Sequence, residues 1–245
     1  METSVKITLI IISAVIVLGV IGAIVFMNIR QETTINAEGI ATVKAVPDIS
    51  SIFISVQTSG NTTKEANDEN AEIVDNIITD LVKLGLERKQ ITTEGFNIFP
   101  DYSWEDGKRE LKGYKAVHTI VVKVPASDTS RIGNVIDIAA NRGAGISYIN
   151  FELSQELQNQ YKAEALEKAT EDARIKAESI ARGLGKDLGK IVSVSSQEFN
   201  YYPWPVYRAE VAGADSIQEA KISATNIQPG EQEIRGRVSV VYALK

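Results

Sequence analysis

The chain has 245 residues, 44% hydrophobic and 24% charged, enough to bury the core of one large domain or two small ones and too ordinary in composition for a fibrous or disordered protein. Its net charge of −6 argues against a nucleic-acid binder, which presents a dense basic face, and leaves no polybasic patch for lipid headgroups. Having no cysteine, it cannot form disulfides, thiolate nucleophiles, or cysteine-held zinc or iron–sulfur centres.

The first element is Ile7 to Met27, ITLIIISAVIVLGVIGAIVFM, an uncharged run of 21 positions that as a helix reaches about 31 Å, the thickness of a hydrocarbon core. A cleaved signal peptide would have a shorter apolar stretch and a small-x-small site, and Asn28-Ile29-Arg30-Gln31-Glu32 offers none. The run reads as an uncleaved single-pass transmembrane anchor over residues 1–30, followed by a linker over 31–36 and a body over 37–245 with lobes of about 37–108 and 109–245. Lys6 at one end and Arg30 at the other nearly cancel in the charge bias that sets orientation.

After the linker, INAEGIATVKAVPDISSIFISVQTSG reads as a β-hairpin around Pro47-Asp48, with Ile52, Ile54 and Val56 alternating onto one face. A helix follows from a capping box at Thr62 and Glu65, and Ala66, Asn70, Ile73, Ile77, Leu81 and Leu84 form its inner stripe up to a cap at Gly85. Asn61-Thr62-Thr63 also fits the N-glycosylation pattern, for which the alternative is this same loop-to-helix cap. The segment ITTEGFNIFPDYS and the segment GYKAVHTIVVKV are strands joined by a turn at Trp104–Gly107, the second placing Tyr114, Ala116, His118, Ile120, Val122 and Val124 on one face.

A short helix over about 129–141 ends at Gly143 and leads into GISYINFELS; a long helix over about 154–182 ends at Gly185 and leads into LGKIVSVSSQEF. Ala165, Ala169, Ala173, Ala177 and Ala181 repeat at every fourth position of that long helix, a stripe that permits close approach to a neighbour. Its outer face predicts ion pairs Glu164–Lys168, Lys168–Asp172 and Glu178–Arg182. The cadence of helix, glycine, strand at Gly85, Gly143 and Gly185 predicts an α+β fold with helices packed on mainly antiparallel sheets. A connection from about 200 to 232 precedes the closing strand EIRGRVSVVYALK; loops of that length are functional, disordered or part of an interface.

The segments EGIATVKAVPDIS (38–50), ANDENAEIVDNIITDLVKLGLERKQITTEGFNIFPDYS (66–103), LKGYKAVHTIVVKV (111–124), FELS (151–154), EALEKATEDARIKAESIARGLGKDLGKIVSVS (164–195) and PGEQEIRGRVSVVY (229–242) together resemble the SIMPL-domain family, domain of unknown function 541. The resemblance implies a two-lobed α+β body on the extracytoplasmic side, related to periplasmic and surface immunogenic proteins and to oxidative-stress-defence proteins, some of which assemble into rings. It implies no catalytic residue. The long apolar anchor departs from the signal peptide of many bacterial relatives.

His118, the one histidine, has no partner in the sequence pattern for catalysis or metal binding, and its other reading is a hydrogen-bonded, partly buried ring. No G-x-S-x-G elbow, calcium loop or phosphate-cradling glycine run appears, so no catalytic, metal or cofactor residue is assigned. The aromatic loop of Tyr201, Tyr202, Trp204 and Tyr207 with Pro203 and Pro205 is the candidate interface, aromatics being enriched at protein contacts; its alternative is a loop folded over the protein's own core. The expectation is a non-enzymatic, membrane-anchored envelope protein that self-assembles as a homo-oligomer or docks an envelope partner through sheet edges and this loop. Two others stand beside it: a module that captures a peptide, glycan or lipid through Tyr201, Trp204 and Tyr207, and an enzyme of unassigned type using His118.

Overall fold

The computed structural model describes residues 15–21, 33–105, 107–196, 201, 204–208, 222 and 230–245. The transmembrane helix expected over Ile7–Met27 does not hold. Among the described residues no helix is long and apolar enough to cross a membrane. Of that segment residues 15–21 are described, as helix, and the remaining positions lie outside the described residues. Hydropathy measures how favourably residues partition into lipid, which is not by itself a measure of helix length. The described residues thus give no support to single-pass anchoring, while the α+β class with antiparallel sheets stands.

In chain order the elements are β1 (Thr34–Ala45), β2 (Ile49–Gly60), α1 (Thr63–Lys83), a 3-10 turn (Arg88–Gln90), β3 (Ile91–Glu105), β4 (Lys108–Pro125), α2 (Thr129–Asn141), β5 (Gly145–Glu152), α3 (Gln155–Gly183), β6 (Leu188–Ser196), β7 (Trp204–Arg208) and β8 (Gln232–Leu244). Among the described residues the strands form two sheets, ordered β3-β4-β2-β5-β7 and β1-β8-β6. The chain divides into two compact units, one from residues 41–168 and 198–236, the other from residues 1–40, 169–197 and 237–245.

The first unit holds the five-stranded sheet, antiparallel throughout. Ile52, Ile54 and Val56 of β2 join Ile120, Val122 and Val124 of β4 beneath Val74, Ile77 and Leu81 of α1 and Ile132, Val135 and Ile136 of α2. Each fully buried aliphatic side chain here contributes about 1.5–3 kcal/mol. The inner stripe of α1 is Ala66, Asn70, Val74, Ile77 and Leu81, so Val74 takes the core place expected of Ile73, which is half-buried. Thr62 caps α1 by accepting the Glu65 N–H at 3.2 Å, and Glu65 Oε2 accepts the Asn61 N–H at 2.9 Å, so the Asn61-Thr62-Thr63 pattern acts as a cap.

The hairpin expected around Pro47-Asp48 is not formed. β1 enters the sheet with β8, whereas β2 pairs with β4 and β5. Asp48 ties the bend to distant chain instead: its carbonyl accepts Ala126 N–H at 2.9 Å and its carboxylate accepts Ser154 N–H at 2.6 Å. These two bonds satisfy a bend whose strands part, which a two-strand turn would not need.

Gly85, Gly143 and Gly185 all have positive φ, at 93°, 74° and 67°, the conformation a helix C-terminus requires where L side chains are strained. On α3, Lys168 pairs with Glu164 at 2.8 Å as expected, but Asp172 pairs with Lys176 at 2.7 Å and Glu178 with Arg174 at 2.9 Å. Asp172 also accepts the Ile40 N–H at 2.8 Å, which turns it toward the strand and Lys176. In the second unit Gly39 of β1 faces Ala169 and Ala173 so closely that a Cβ would stand 1.8 Å from Ala169 O. Gly236 of β8 does the same within the first unit, 2.6 Å from Ala165 O. The alanine stripe thus serves glycines on two strands.

Candidate functional site

Tyr201 hydroxyl accepts the Leu153 N–H at 2.8 Å and its ring packs beside Val43, Ala45, Leu153 and Ile234. Burial pushes its hydroxyl pKa up, as expected for a phenol withdrawn from water. Tyr201 therefore serves the protein's own body. Tyr202 lies outside the described residues. Trp204 and Tyr207 fall in β7, whose backbone places them opposite Phe151 and Ile149 of β5. Pro205 fits there because β7 is an edge strand among the described residues, and an edge tolerates a residue with no N–H to donate.

His118 stands on β4 opposite Phe96 of β3, with ring centroids 5.3 Å apart, and its Nε2 lies 2.9 Å from Thr93 Oγ1. Among the described residues no carboxylate bonds it, and burial lowers its pKa. The fold thus favours neutral imidazole, so this contribution to stability is present above the unfolded value of about 6.5 and is lost as pH falls from there through the lower folded value. Equilibrium denaturation between pH 7.5 and about 5.5 is expected to show declining stability, with part of the slope removed in His118→Gln; identical slopes would refute the assignment.

Among the described residues the first unit carries concave surfaces. One, of about 380 Å³, is bordered by Glu65, Glu69, Asp101 and Lys112 beside Gly60 and Gly113; its Asp101 is paired with Lys115 at 3.2 Å and its Glu65 is committed to the α1 cap. Another, of about 250 Å³, runs along α1 and is lined by Ala71, Val74, Ile78 and Phe96 together with Asn67, Asn70, Asp75 and His118. Asn70 is closed to solvent. Its Nδ2 donates to Val56 O at 3.0 Å and reaches Ala116 O at 3.5 Å, while Oδ1 has no partner among the described residues.

The sequence pattern placed Asn70 on the inner stripe of α1 without singling it out, and did not pair Phe96 with His118. The available signal was a carboxamide at a core position, where an amide is tolerated only with partners. Among the described residues no group of three His, Asp or Glu side chains could hold a metal ion.

A family model named SIMPL, described as "Protein of unknown function (DUF541)", matches residues 35–242. The chain belongs to the SIMPL family. It is 30% identical over 191 residues to "Uncharacterized protein YggE" of Escherichia coli K12, covering 75% of this chain and 76% of that one. It is 26% identical over 248 aligned positions to the "26 kDa periplasmic immunogenic protein" of Brucella melitensis, covering 95% of both. The SIMPL match covers α1, α2, α3 and all or nearly all of each strand from β1 to β8, including the Asn70 groove and β7.

Proposed function

We propose that this SIMPL protein acts outside the cytoplasm as a non-catalytic assembly module that pairs with a second copy of itself through a sheet edge. The location rests on the periplasmic relative from Brucella. The assembly rests on β6. It stands at the edge of the three-stranded sheet among the described residues, and its residues 190–196 are exposed on both faces, with Ile191 and Val194 each 58% exposed. An uncovered strand of that length offers a row of backbone donors and acceptors together with apolar side chains, the combination that recruits another strand. By contrast, β3 carries Pro100 and register breaks at Thr93/Gly95 and Asp101/Tyr102, devices that discourage pairing. The β7 edge with Trp204 and Tyr207 is the second contact assigned to a partner.

The full chain is expected to show a concentration-dependent mass by sedimentation. Ile191→Lys with Val194→Lys, one charge on each face, should weaken association on the order of a hundredfold. A strict monomer at all concentrations, or an unchanged mass in the double variant, would remove β6 as the contact.

A further inference from the structure

We propose that the groove between α1 and the β3–β4 pair binds a small, neutral, ring-bearing molecule with one hydrogen-bond donor, of the indole or phenol class, whose donor is accepted by Asn70 Oδ1. This site is separate from strand pairing at β6 and does not depend on it.

The orientation of Asn70 follows from its neighbours. Val56 O and Ala116 O can only accept, so the NH2 group must face them, and Oδ1 is left without a donor in a fully buried side chain. A buried acceptor with no partner is rare in folded proteins and calls for a donor from outside the chain. The clamp on β2 and β4 explains Nδ2 and leaves Oδ1 unexplained.

The rest of the lining defines the ligand. Ala71, Val74, Ile78 and Phe96 favour an apolar body, and an ion taken among them would lose more hydration than one amide oxygen returns. Asp75, itself on the lining, repels anions. A volume of about 250 Å³ falls below the range of roughly 300–1,000 Å³ for drug-sized ligands, so one ring or two fused rings fit. Because Asn70 is closed to solvent, binding requires a lining side chain to move aside, and we assign that movement to the ring of Phe96, which lines the groove and is 42% exposed. The His118 imidazole, 5.3 Å from that ring, registers the movement.

His118 being the one histidine of the chain, its ring C–H resonances are an unambiguous probe. Titrating the full chain with indole is expected to shift them saturably, with a Kd on the order of 1 mM or tighter. Indene, which keeps the rings and lacks the N–H, should bind at least about tenfold more weakly, and benzoate should not bind. Ala71→Phe alters an exposed helix position on the groove, leaves the Asn70 clamp intact, and should abolish the response. Three results would each overturn the proposal: no saturable shift with indole or phenol, which leaves a water as the partner of Oδ1; indene binding as tightly as indole; or an undiminished response in Ala71→Phe.

Discussion

Gly39→Ala is expected to cost about 3 kcal/mol or more, at the top of the range for overpacking a close-packed contact. A Cβ at this position would stand 1.8 Å from Ala169 O, 2.5 Å from Ala173 N and 2.8 Å from Ala173 Cβ. Two of those atoms belong to helix backbone, so no rotamer change relieves the clash; α3 itself must move away from β1. Such a shift would also stretch the Asp172 bond to Ile40 N–H, 2.8 Å long, and the Lys176 bond to Glu38 O, 3.1 Å long. Gly95→Ala is the matched control, since a Cβ there meets nothing within 4 Å, and alanine at an unstrained site stabilises by roughly 0.4–1 kcal/mol through the unfolded chain. Urea denaturation should therefore move the two midpoints in opposite directions. Equal shifts would mean that β1 and α3 are not in close contact in solution.

The same contact marks how far sequence reasoning reaches. The alanine stripe from Ala165 to Ala181 announces that something approaches α3 closely, because its period is a property of the helix alone. That Gly39 and Gly236 are what approaches depends on which strands lie beneath, and no local pattern records it. The parting of β1 from β2 has the same cause. Their alternation is legible and each strand forms, but Asp48 is held by Ala126 and Ser154, partners far away in sequence. Strand identity was thus readable, and partnership was readable where a tight turn joins the strands, as at Trp104–Gly107 between β3 and β4, but not where the partner is distant in sequence. The three glycine-terminated helices were readable because positive φ is a local demand that glycine meets without strain.

For the sites, Tyr201 was legible as an aromatic in a loop, yet its commitment to Leu153 N–H is tertiary. His118 was visible as a lone titratable group in strand phase. Its neighbour Phe96 was hidden by the register shift between Thr93 and Gly95, which no alternation pattern anticipates.

Asn70→Asp is expected to be among the most damaging single-atom changes available at neutral pH, and the damage should vanish in acid. The substituted oxygen would occupy the Nδ2 position, 3.0 Å from Val56 O and 3.5 Å from Ala116 O, so two acceptors would face an unpaired carboxylate out of reach of water. Leaving one buried charge uncompensated costs about 3–5 kcal/mol. Desolvation and the facing carbonyls both oppose ionisation, which raises the folded-state pKa above the unfolded value of about 3.9. The penalty is therefore complete above the folded pKa and shrinks by about 1.4 kcal/mol per pH unit as pH falls toward the unfolded value. Once protonated, the carboxyl O–H can donate to Val56 O and restore half of the clamp. Denaturation of wild type and Asn70→Asp from pH 7.5 to about 4 should show two curves that converge in acid. Parallel curves would mean that the side chain is hydrated, and with it Oδ1, which would remove the physical basis for a ligand at this position.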